Sequence, residues 1–520
     1  MIRTNVHHLL ENQAAQRPDA LALTYRGESA TYAEVWRSAR AAAGQLRALG
    51  VQRGDRVAIY LEKRLELVAA MFAASAAGAI FVPINHVLKP LQVGHILADS
   101  GATVLITSAD RLTQLTAALS TSEVTSVIVV GASVPEASGD YGVHGWNDGQ
   151  AADAAPGPSG AIDIDPAAIL YTSGSTGKPK GVVLSHRNLI VGAESVSTYL
   201  GNTSDDVILS VLPLSFDAGL SQVTTAFAVG AHCVLMNYLL PRDVAKLCVA
   251  HGVTGITAVP PLWLQLADID WPEEAARRIR YWANTGGRMP RSTLDKLRSV
   301  FTEADPFLMY GLTEAFRSTY LDPAEVDNRP GSIGKAIPNA EILVLRPDGS
   351  ACDPGEPGEL VHRGALVALG YWNDPERSAE RFRPVHHIGQ DWRAPELAVW
   401  SGDTVVADDD GFLSFVGRVD DMIKTSGYRV SPTEVEEAAY STGIVRDVVA
   451  VGVEDPALGQ RIVLVVTPSG DALDEASVVS ALRPLLPAYM IPSRVVVRDD
   501  LPRSPNGKFD RPLIKSEVSA

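Results

Sequence analysis

Short apolar runs rich in valine and isoleucine alternate with stretches of helical pattern, and this alternation restricts the fold more than any other feature. The runs are RVAIYL from Arg56, AIFVPI from Ala79, TVLITS from Thr103 and SVIVVG from Ser126. Continuous β-branched runs of this length are typical of strands buried on both faces of a sheet. The pattern predicts an α/β fold with buried, largely parallel strands.

One helix is marked at both ends. Thr31 is followed three residues later by Glu34, the spacing of a capping box, and Gly50 follows an alanine-rich interior. A capping box satisfies the first backbone N–H groups of a helix, and glycine commonly ends one. We predict a helix between these residues.

The chain is too long for a single hydrophobic core. It has 520 residues, of which 46% are hydrophobic, and cores stop growing well below that length. A strand-like run, FLSFV, gives way to the charged sequence GRVDDMIK from Gly417. We predict a large multi-sheet α/β domain over 1–417 and a small domain over 418–520, with the polar stretch near 136–160 as a loop inside the large domain.

The small domain has an α+β pattern. Ser431 and Glu434 form a second predicted capping box, with Pro432 at the first helical position. Two strands (VVAVGV and IVLVV), a helix (ASVVSALRPLL) and a strand (SRVVV) follow.

Charge and cysteine content exclude several classes of protein. The net charge is −16 with a pI near 5.2, and no cluster of basic residues predicts a nucleic-acid or membrane partner. The amino terminus lacks a signal-peptide pattern, and no apolar stretch approaches the ~18 residues of a membrane span. Cys233, Cys248 and Cys352 lie far apart, so neither a disulfide framework nor a zinc site is indicated and a cytoplasmic location is expected.

The segment YTSGSTGKPKGV, from Tyr171 to Val182, has the composition of a polyphosphate-binding loop. Its glycines let backbone N–H groups approach an anion, while its hydroxyls donate hydrogen bonds and its lysines add charge. The predicted phosphate ligands are Thr172, Ser173, Gly174, Ser175, Thr176, Gly177 and Lys178.

This segment is not the P-loop of NTPases. Proline follows Lys178, where that motif requires a serine or threonine. The GVVL sequence from Gly181 contains two β-branched valines and predicts a strand. The loop should therefore join two strands and not cap a helix.

Together with further motifs, this loop resembles the adenylate-forming superfamily, which contains acyl-CoA synthetases, nonribosomal peptide adenylation domains and beetle luciferases. The matching motifs are NTGGR from Asn284, YGLTE from Tyr310, SGD from Ser401, GRVDDMIKTSGYRVSPTEVE from Gly417 and PRSPNGK from Pro502. The resemblance covers almost the whole chain. It implies a large α/β domain with a mobile carboxy-terminal lid, use of ATP and Mg²⁺, and two steps, adenylation of an acid and then transfer to a thiol.

The resemblance also implies roles for individual residues. Tyr310 would stack on adenine, Thr313 would bind the α-phosphate and Glu314 would bind Mg²⁺. Lys508 would reach from the lid to the reacting carboxylate and phosphate, and Asp420 would be the hinge of the lid. The remaining residues expected at the nucleotide are Gly287, Arg288, Asp403, Phe415 and Arg418.

Asp217 is a position at which this sequence differs from many acyl-CoA synthetases, and it bears on the identity of the acid substrate. Acyl-CoA synthetases often have histidine here, whereas amino-acid-activating domains have an aspartate that binds the substrate ammonium. Burying a carboxylate without a cation is costly, so the residue favours a small amino acid as substrate. The alternative is that Asp217 caps the following helix.

The same matching predicts the wall of the acid pocket. Arg317 and Trp263 would narrow it toward a small acid, although Arg317 could instead be the structural partner of an acidic neighbour. The full predicted set is Phe216, Asp217, Ala218, Ser221, Trp263, Asn284, Gly286, Met309 and Arg317.

The thiol acceptor is left open. Because no carrier segment follows the lid motifs, we expect either a separate carrier protein with its phosphopantetheine arm or coenzyme A. Stand-alone ligases that load a small amino acid onto a carrier protein are the nearest comparison, and an acyl-CoA synthetase of a non-amino acid is the alternative. A luciferase-like oxygenase and a non-catalytic nucleotide-binding relative are remote alternatives.

Overall fold

The structure is a computed structural model that describes residues 3–136, 139–146, 159–172, 179–385, 394–418, 423–425, 428–455, 458–470, 473–486, 488–505 and 507–519. The helices are α1 (His8–Gln16), α2 (Tyr32–Ala48), α3 (Leu65–Ala77), α4 (Pro90–Ser100), α5 (Ala109–Leu112), α6 (Thr116–Leu119), α7 (His186–Tyr199), α8 (Asp217–Val229), α9 (Pro241–His251), α10 (Pro260–Ala267), α11 (Glu273–Arg278), α12 (Arg291–Val300), α13 (Pro375–Arg381), α14 (Pro432–Ser441), α15 (Glu475–Leu482) and α16 (Arg511–Ser519). Short 3₁₀ helices lie at Thr313–Ala315, Pro323–Glu325 and Ala488–Met490.

The strands are β1 (Leu21–Tyr25), β2 (Glu28–Thr31), β3 (Arg56–Tyr60), β4 (Ile80–Pro83), β5 (Val104–Ser108), β6 (Ser126–Val130), β7 (Gly142–Gly145), β8 (Pro166–Thr172), β9 (Lys180–Ser185), β10 (Val207–Ser210), β11 (His232–Leu235), β12 (Gly255–Ala258), β13 (Tyr281–Asn284), β14 (Asp305–Tyr310), β15 (Thr319–Leu321), β16 (Ser332–Ala336), β17 (Ala340–Leu345), β18 (Pro357–Gly364), β19 (Gly370–Tyr371), β20 (Phe382–Val385), β21 (Glu396–Ala407), β22 (Leu413–Arg418), β23 (Ile423–Thr425), β24 (Tyr428–Val430), β25 (Val445–Asp455), β26 (Gly459–Pro468) and β27 (Arg494–Val497).

Within the described ranges the strands form three sheets. The largest has the order β17-β18-β21-β22-β16-β15-β14-β13-β12-β10-β11-β1-β2, with β20 beside β21. The second has the order β19-β9-β8-β4-β3-β5-β6-β7. Both contain a parallel block, β1 to β14 across the first sheet and β7 to β8 across the second. This confirms the predicted α/β fold. In the first sheet, the neighbouring strands from β14 through β15, β16, β22, β21 and β18 to β17 form antiparallel pairs.

The main core lies between the two large sheets. Helix α3 is apolar around its whole circumference and wholly buried from Leu67 to Ala77. Such a helix needs apolar neighbours on every side. Its Phe72 packs against Phe227 of α8, with ring centroids 5.2 Å apart.

The predicted capping box of α2 is present. The backbone N–H of Glu34 donates to Thr31 Oγ1 at 3.3 Å, and the N–H of Thr31 donates to the Glu34 carboxylate at 2.8 Å. The helix ends at Ala48, and Gly50 adopts a φ of 88°. The end signals read from the sequence are therefore confirmed.

The serine bond of the second predicted capping box is not formed, and the side chain of Glu434 lies outside the described part of the structure. Helix α14 begins at Pro432, as predicted, but Ser431 makes no side-chain cap bond to the described residues of the helix. Its hydroxyl donates instead to the carbonyl of Val416 at 2.6 Å. A buried hydroxyl takes the acceptor that tertiary packing brings to it, and here that acceptor lies on β22.

The carboxy-terminal part forms a small α+β domain, as predicted. Its sheet has the order β24-β23-β26-β25, with β27 beside β26. Two apolar clusters of described residues, which run from Ile423 to Val518, belong to this region. The boundary between residues 417 and 418 stays a prediction, and the hinge residue Asp420 lies outside the described residues.

The polyphosphate loop joins two strands. Thr172 at the end of β8 pairs with Lys180 at the start of β9 in an antiparallel ladder. Ser173, Gly174, Ser175, Thr176, Gly177 and Lys178 lie outside the described residues. In the described part of the chain, no helix combines the length and apolar character needed to cross a bilayer.

Candidate active site

The predicted site residues follow strands of the largest sheet. Asn284 is the last residue of β13 and Tyr310 the last of β14, and the two strands are parallel. The carboxyl ends of parallel strands meet at one edge of a sheet, which is where open α/β folds bind ligands. The turn after β14 brings Thr313 and Glu314 to the same edge.

Several residues expected at the nucleotide lie together beside this edge. The Tyr310 hydroxyl donates to the carboxylate of Asp403, which is 2% exposed. The Tyr310 and Phe415 rings have centroids 6.3 Å apart. Asp403 pairs with Arg418 across the ladder of β21 and β22. The predicted aromatic surface and ribose-binding carboxylate are therefore adjacent.

Glu314 is a buried carboxylate surrounded by donors and cations. Lys180 Nζ lies 3.1 Å from its Oε1, the Tyr371 hydroxyl 2.6 Å and Arg381 Nε 3.9 Å. Burial alone would raise the pKa of Glu314, but Lys180, Arg381 and the Tyr371 hydroxyl lower it to about 2. The group is a carboxylate at neutral pH, and its hard oxygens suit Mg²⁺, which when bound would offset phosphate charge.

The sequence-based prediction did not assign Tyr371 or Arg381 to the site, and it named Lys180 only as a source of charge in the polyphosphate loop. Tyr371 pairs with Val182 across β19 and β9, two residues from Lys180, so the two side chains share one face. Lys180 Nζ lies 2.7 Å from the Tyr371 hydroxyl. Only the positive charge of Lys180, in the loop motif, gave a signal in the sequence.

Asp217 binds Arg317. Arg317 Nη1 donates to Asp217 Oδ2 at 2.8 Å, and Thr313 Oγ1 donates to Asp217 Oδ1 at 3.3 Å. Arg317 is 2% exposed. Helix α8 begins at Asp217 with Phe216 as its N-cap, and no side chain of the described residues caps the helix. The carboxylate thus has a cationic partner within the protein, one of the alternatives that the sequence left open.

The other predicted pocket residues divide into two groups. Ser221, Met309 and Arg317 line one small cavity, and Phe216, the N-cap of α8, is half-buried. Trp263, by contrast, is wholly buried in an apolar cluster, where it packs on Trp282 and donates to the carbonyl of Ala283 at 3.2 Å. These contacts account for its burial without a ligand.

The lid contacts the large domain at this site. The Lys508 side chain reaches Gly286, since its Cε lies 3.7 Å from where a Cβ on that glycine would be. Asn85 Nδ2 donates to the carbonyl of Pro505 at 3.2 Å. Arg288 Nε lies 3.4 Å from a carboxylate oxygen of Glu437 on α14. Gly287 accepts a 2.8 Å hydrogen bond from Asn284.

Comparison with known families places the chain in one class, the adenylate-forming enzymes. The model of the AMP-binding enzyme family matches residues 10–372, and that of the AMP-binding enzyme C-terminal domain matches residues 434–508. The chain belongs to this family. It is an AMP-forming acid–thiol ligase that uses ATP and Mg²⁺.

Relatives of known sequence include both acyl-CoA ligases and peptide synthetases. Feruloyl-CoA synthase of an Amycolatopsis species is 31% identical over 97% of this chain and 96% of its own length. Tyrocidine synthase 3 of Brevibacillus parabrevis is 30% identical over 97% of this chain, which spans only 8% of that protein.

Two similar solved structures contain ATP. ATP-bound MatB from Rhodopseudomonas palustris has a TM-score of 0.83 and 26% identity, with 99% of each chain covered. o-Succinylbenzoate CoA synthetase (MenE) from Bacillus subtilis, in complex with ATP and magnesium, has a TM-score of 0.81 and 27% identity, over 98% of this chain and 99% of that one.

Proposed function

We propose that this ligase activates a small carboxylic acid that lacks an amino group and transfers it to coenzyme A. The ion pair of Asp217 with Arg317 is the observation that carries this proposal. Sequence reasoning favoured an amino acid because a buried Asp217 needs a cation, and Arg317 meets that need.

The electrostatics of the pair support an acid without a positive charge. Removing one member of a buried ion pair leaves an uncompensated charge, which is strongly destabilising. A substrate ammonium that displaced Arg317 from Asp217 would leave the guanidinium as an uncompensated buried charge. Arg317 also donates to the carbonyl of Phe316 at 3.1 Å, which holds it in place.

The relatives support coenzyme A as the acceptor. Two relatives have names that specify both an acid without an amino group and coenzyme A. They are feruloyl-CoA synthase and the long-chain-fatty-acid–CoA ligase of Escherichia coli O157:H7. Tyrocidine synthase 3 is a similar protein whose name does not specify coenzyme A. Arg317 already supplies the cation that Asp217 needs, so Asp217 gives no reason to favour an amino acid. We therefore propose coenzyme A as the acceptor.

The nucleotide-binding roles read from the sequence form part of this proposal. Tyr310 packs against adenine, Asp403 binds the ribose hydroxyls, and Thr313 contacts the α-phosphate. Glu314 holds Mg²⁺. Lys508 brings a positive charge between the attacking carboxylate and the α-phosphate, where two anions must approach each other.

The test is ATP–pyrophosphate exchange with Mg²⁺ and no thiol, over a panel of amino acids, β-amino acids, short fatty acids and aryl acids. We expect exchange with one or more acids that have no amino group. The responsive acid is then incubated with coenzyme A or with a phosphopantetheinylated carrier protein, and thioesters are identified by mass spectrometry. Exchange confined to amino acids, or acylation confined to the carrier protein, would refute the proposal.

A further inference from the structure

The guanidinium of Arg317 is only partly satisfied, although its side chain is buried. Its Nη1 donates to Asp217 and to the carbonyl of Phe316. Its Nε has no hydrogen-bond partner among the described residues. A buried N–H without an acceptor is destabilising, so such a group in a substrate pocket points to an acceptor that arrives with the ligand.

This N–H belongs to a residue that lines a small recess. The recess has a volume of about 10 Å³ and is lined by Arg317 together with Ser221, Thr225 and Met309, among others. That volume is close to the room that one water-sized group occupies. Gln222, also in the wall, is already committed to the carbonyls of Leu209 and Thr257, at 3.0 and 2.9 Å.

We infer that the acid carries an uncharged, hydrogen-bond-accepting oxygen at the end remote from its reacting carboxyl group, and that Arg317 binds this oxygen. The inference rests on the proposed function and names its substrate class: keto, ether, amide or hydroxy acids. Asp217 already neutralises Arg317, so the anion of a second carboxylate would remain uncompensated in the recess. A single ordered water is the other occupant that the recess admits.

The test compares acids that differ at one atom. 3-Methoxybenzoate and 3-ethylbenzoate exchange an ether oxygen for a methylene, and 4-oxopentanoate and 4-methylpentanoate exchange a carbonyl oxygen for a methyl. Isophthalate and succinate add the charged member of each set. Pyrophosphate exchange gives kcat/KM for every acid, and we expect one oxygen-bearing member to exceed its hydrocarbon partner by about 10- to 100-fold, with the dicarboxylate below both.

Two substitutions assign the preference to Arg317. Arg317→Lys keeps a positive charge for Asp217 but has no Nε–H, so the ratio of the two kcat/KM values should fall to near one. Arg317→Met with Asp217→Asn removes the pair without leaving either charge unpaired, and it should favour the hydrocarbon member. Arg277→Met, at an exposed position of α11, is the matched control and should keep the wild-type ratio.

The outcomes separate this inference from the proposed function. Equal use of the oxygen and hydrocarbon members by the wild type would overturn the inference, would leave the ligase proposal standing and would assign the recess to water. A preference for the dicarboxylates, or a ratio that survives Arg317→Lys, would also overturn it. Exchange with amino acids alone would overturn the proposed function itself.

Discussion

At the scale of single residues, the buried Glu314 and the half-buried Asp217 show how the partners of a carboxylate decide its chemistry. Asp217 is neutralised by Arg317, whereas Glu314 is surrounded by Lys180, Arg381 and the Tyr371 hydroxyl. Glu314 therefore stays charged at pH values well below the usual pKa of a glutamate, and its carboxylate is suited to a hard cation. Asp217 has lost the excess negative charge that would attract an ammonium.

The lowered pKa of Glu314 predicts an acid-sensitive contribution to stability. A carboxyl whose pKa falls from 4.5 to about 2 on folding contributes stability that is present above pH 4.5 and lost as the pH falls through about 2. Between pH 6 and pH 3, the wild type should lose about 2 kcal/mol of unfolding free energy more than Glu314→Gln, in which this titration is absent. Urea unfolding at each pH measures the difference.

The exposed Glu376→Gln on α13 is the control for this experiment and should follow the wild type. If Glu314→Gln showed the wild-type pH dependence, Glu314 would not be held charged by its neighbours.

At the scale of elements, helix α7 supports the turn that carries Arg317. Phe316 follows the 3₁₀ helix and has a φ of 58°, a value that non-glycine residues rarely adopt. Its ring packs directly on Gly192 of α7, where an added Cβ would come within 2.4 Å of the ring. The absence of a side chain at Gly192 thus allows the turn to approach.

Gly192→Ala should therefore disturb both stability and the site. Overpacking of this contact should cost about 1 to 3 kcal/mol and lower the rate of adenylation, because Phe316 and Arg317 must shift together. Thermal unfolding and pyrophosphate exchange measure the two effects.

Gly44→Ala on α2 is the matched helical control, since an added Cβ there meets nothing within 4 Å in the described part of the chain. It should raise stability by about 0.5 to 1 kcal/mol and leave exchange unchanged. Equal behaviour of the two variants would show that the Gly192 contact is not tight.

At the scale of the whole molecule, residues of the carboxy-terminal domain contact the large domain at several positions. Lys508 approaches Gly286, Pro505 accepts from Asn85, and Glu437 pairs with Arg288. These contacts bring a lysine from the carboxy-terminal domain to the edge where β13 and β14 end. From this edge Lys508 would act in the adenylation step that we propose.

Lys508→Ala should lower pyrophosphate exchange by about 10²- to 10³-fold, the usual loss for one preorganised charge-stabilising group. Lys515→Ala, at an exposed position of α16, should have no effect. Thioester formation from supplied acyl-AMP should be affected far less than exchange. An unchanged exchange rate would remove Lys508 from the adenylation step.

The sequence by itself determined the local features of this protein. The β-branched runs became strands, Thr31 and Glu34 formed their capping box, and the phosphate-loop motif joined two strands. These features depend on residues close together in the chain, where dihedral preference and periodicity are sufficient. The motifs also identified the family, because each pairs one residue type with one chemical task.

Only the tertiary structure decided which charges meet. Arg317 lies 100 residues from Asp217, and Tyr371 lies 57 residues from Glu314. Ser431 accepts no side-chain cap bond from its helix, and its hydroxyl donates to a carbonyl of β22. The pairing of buried polar groups follows from the packing of separate elements, since each group takes the partner that burial brings within hydrogen-bond distance. For that reason the amino-acid hypothesis could be revised only once the folded structure showed the partner of Asp217.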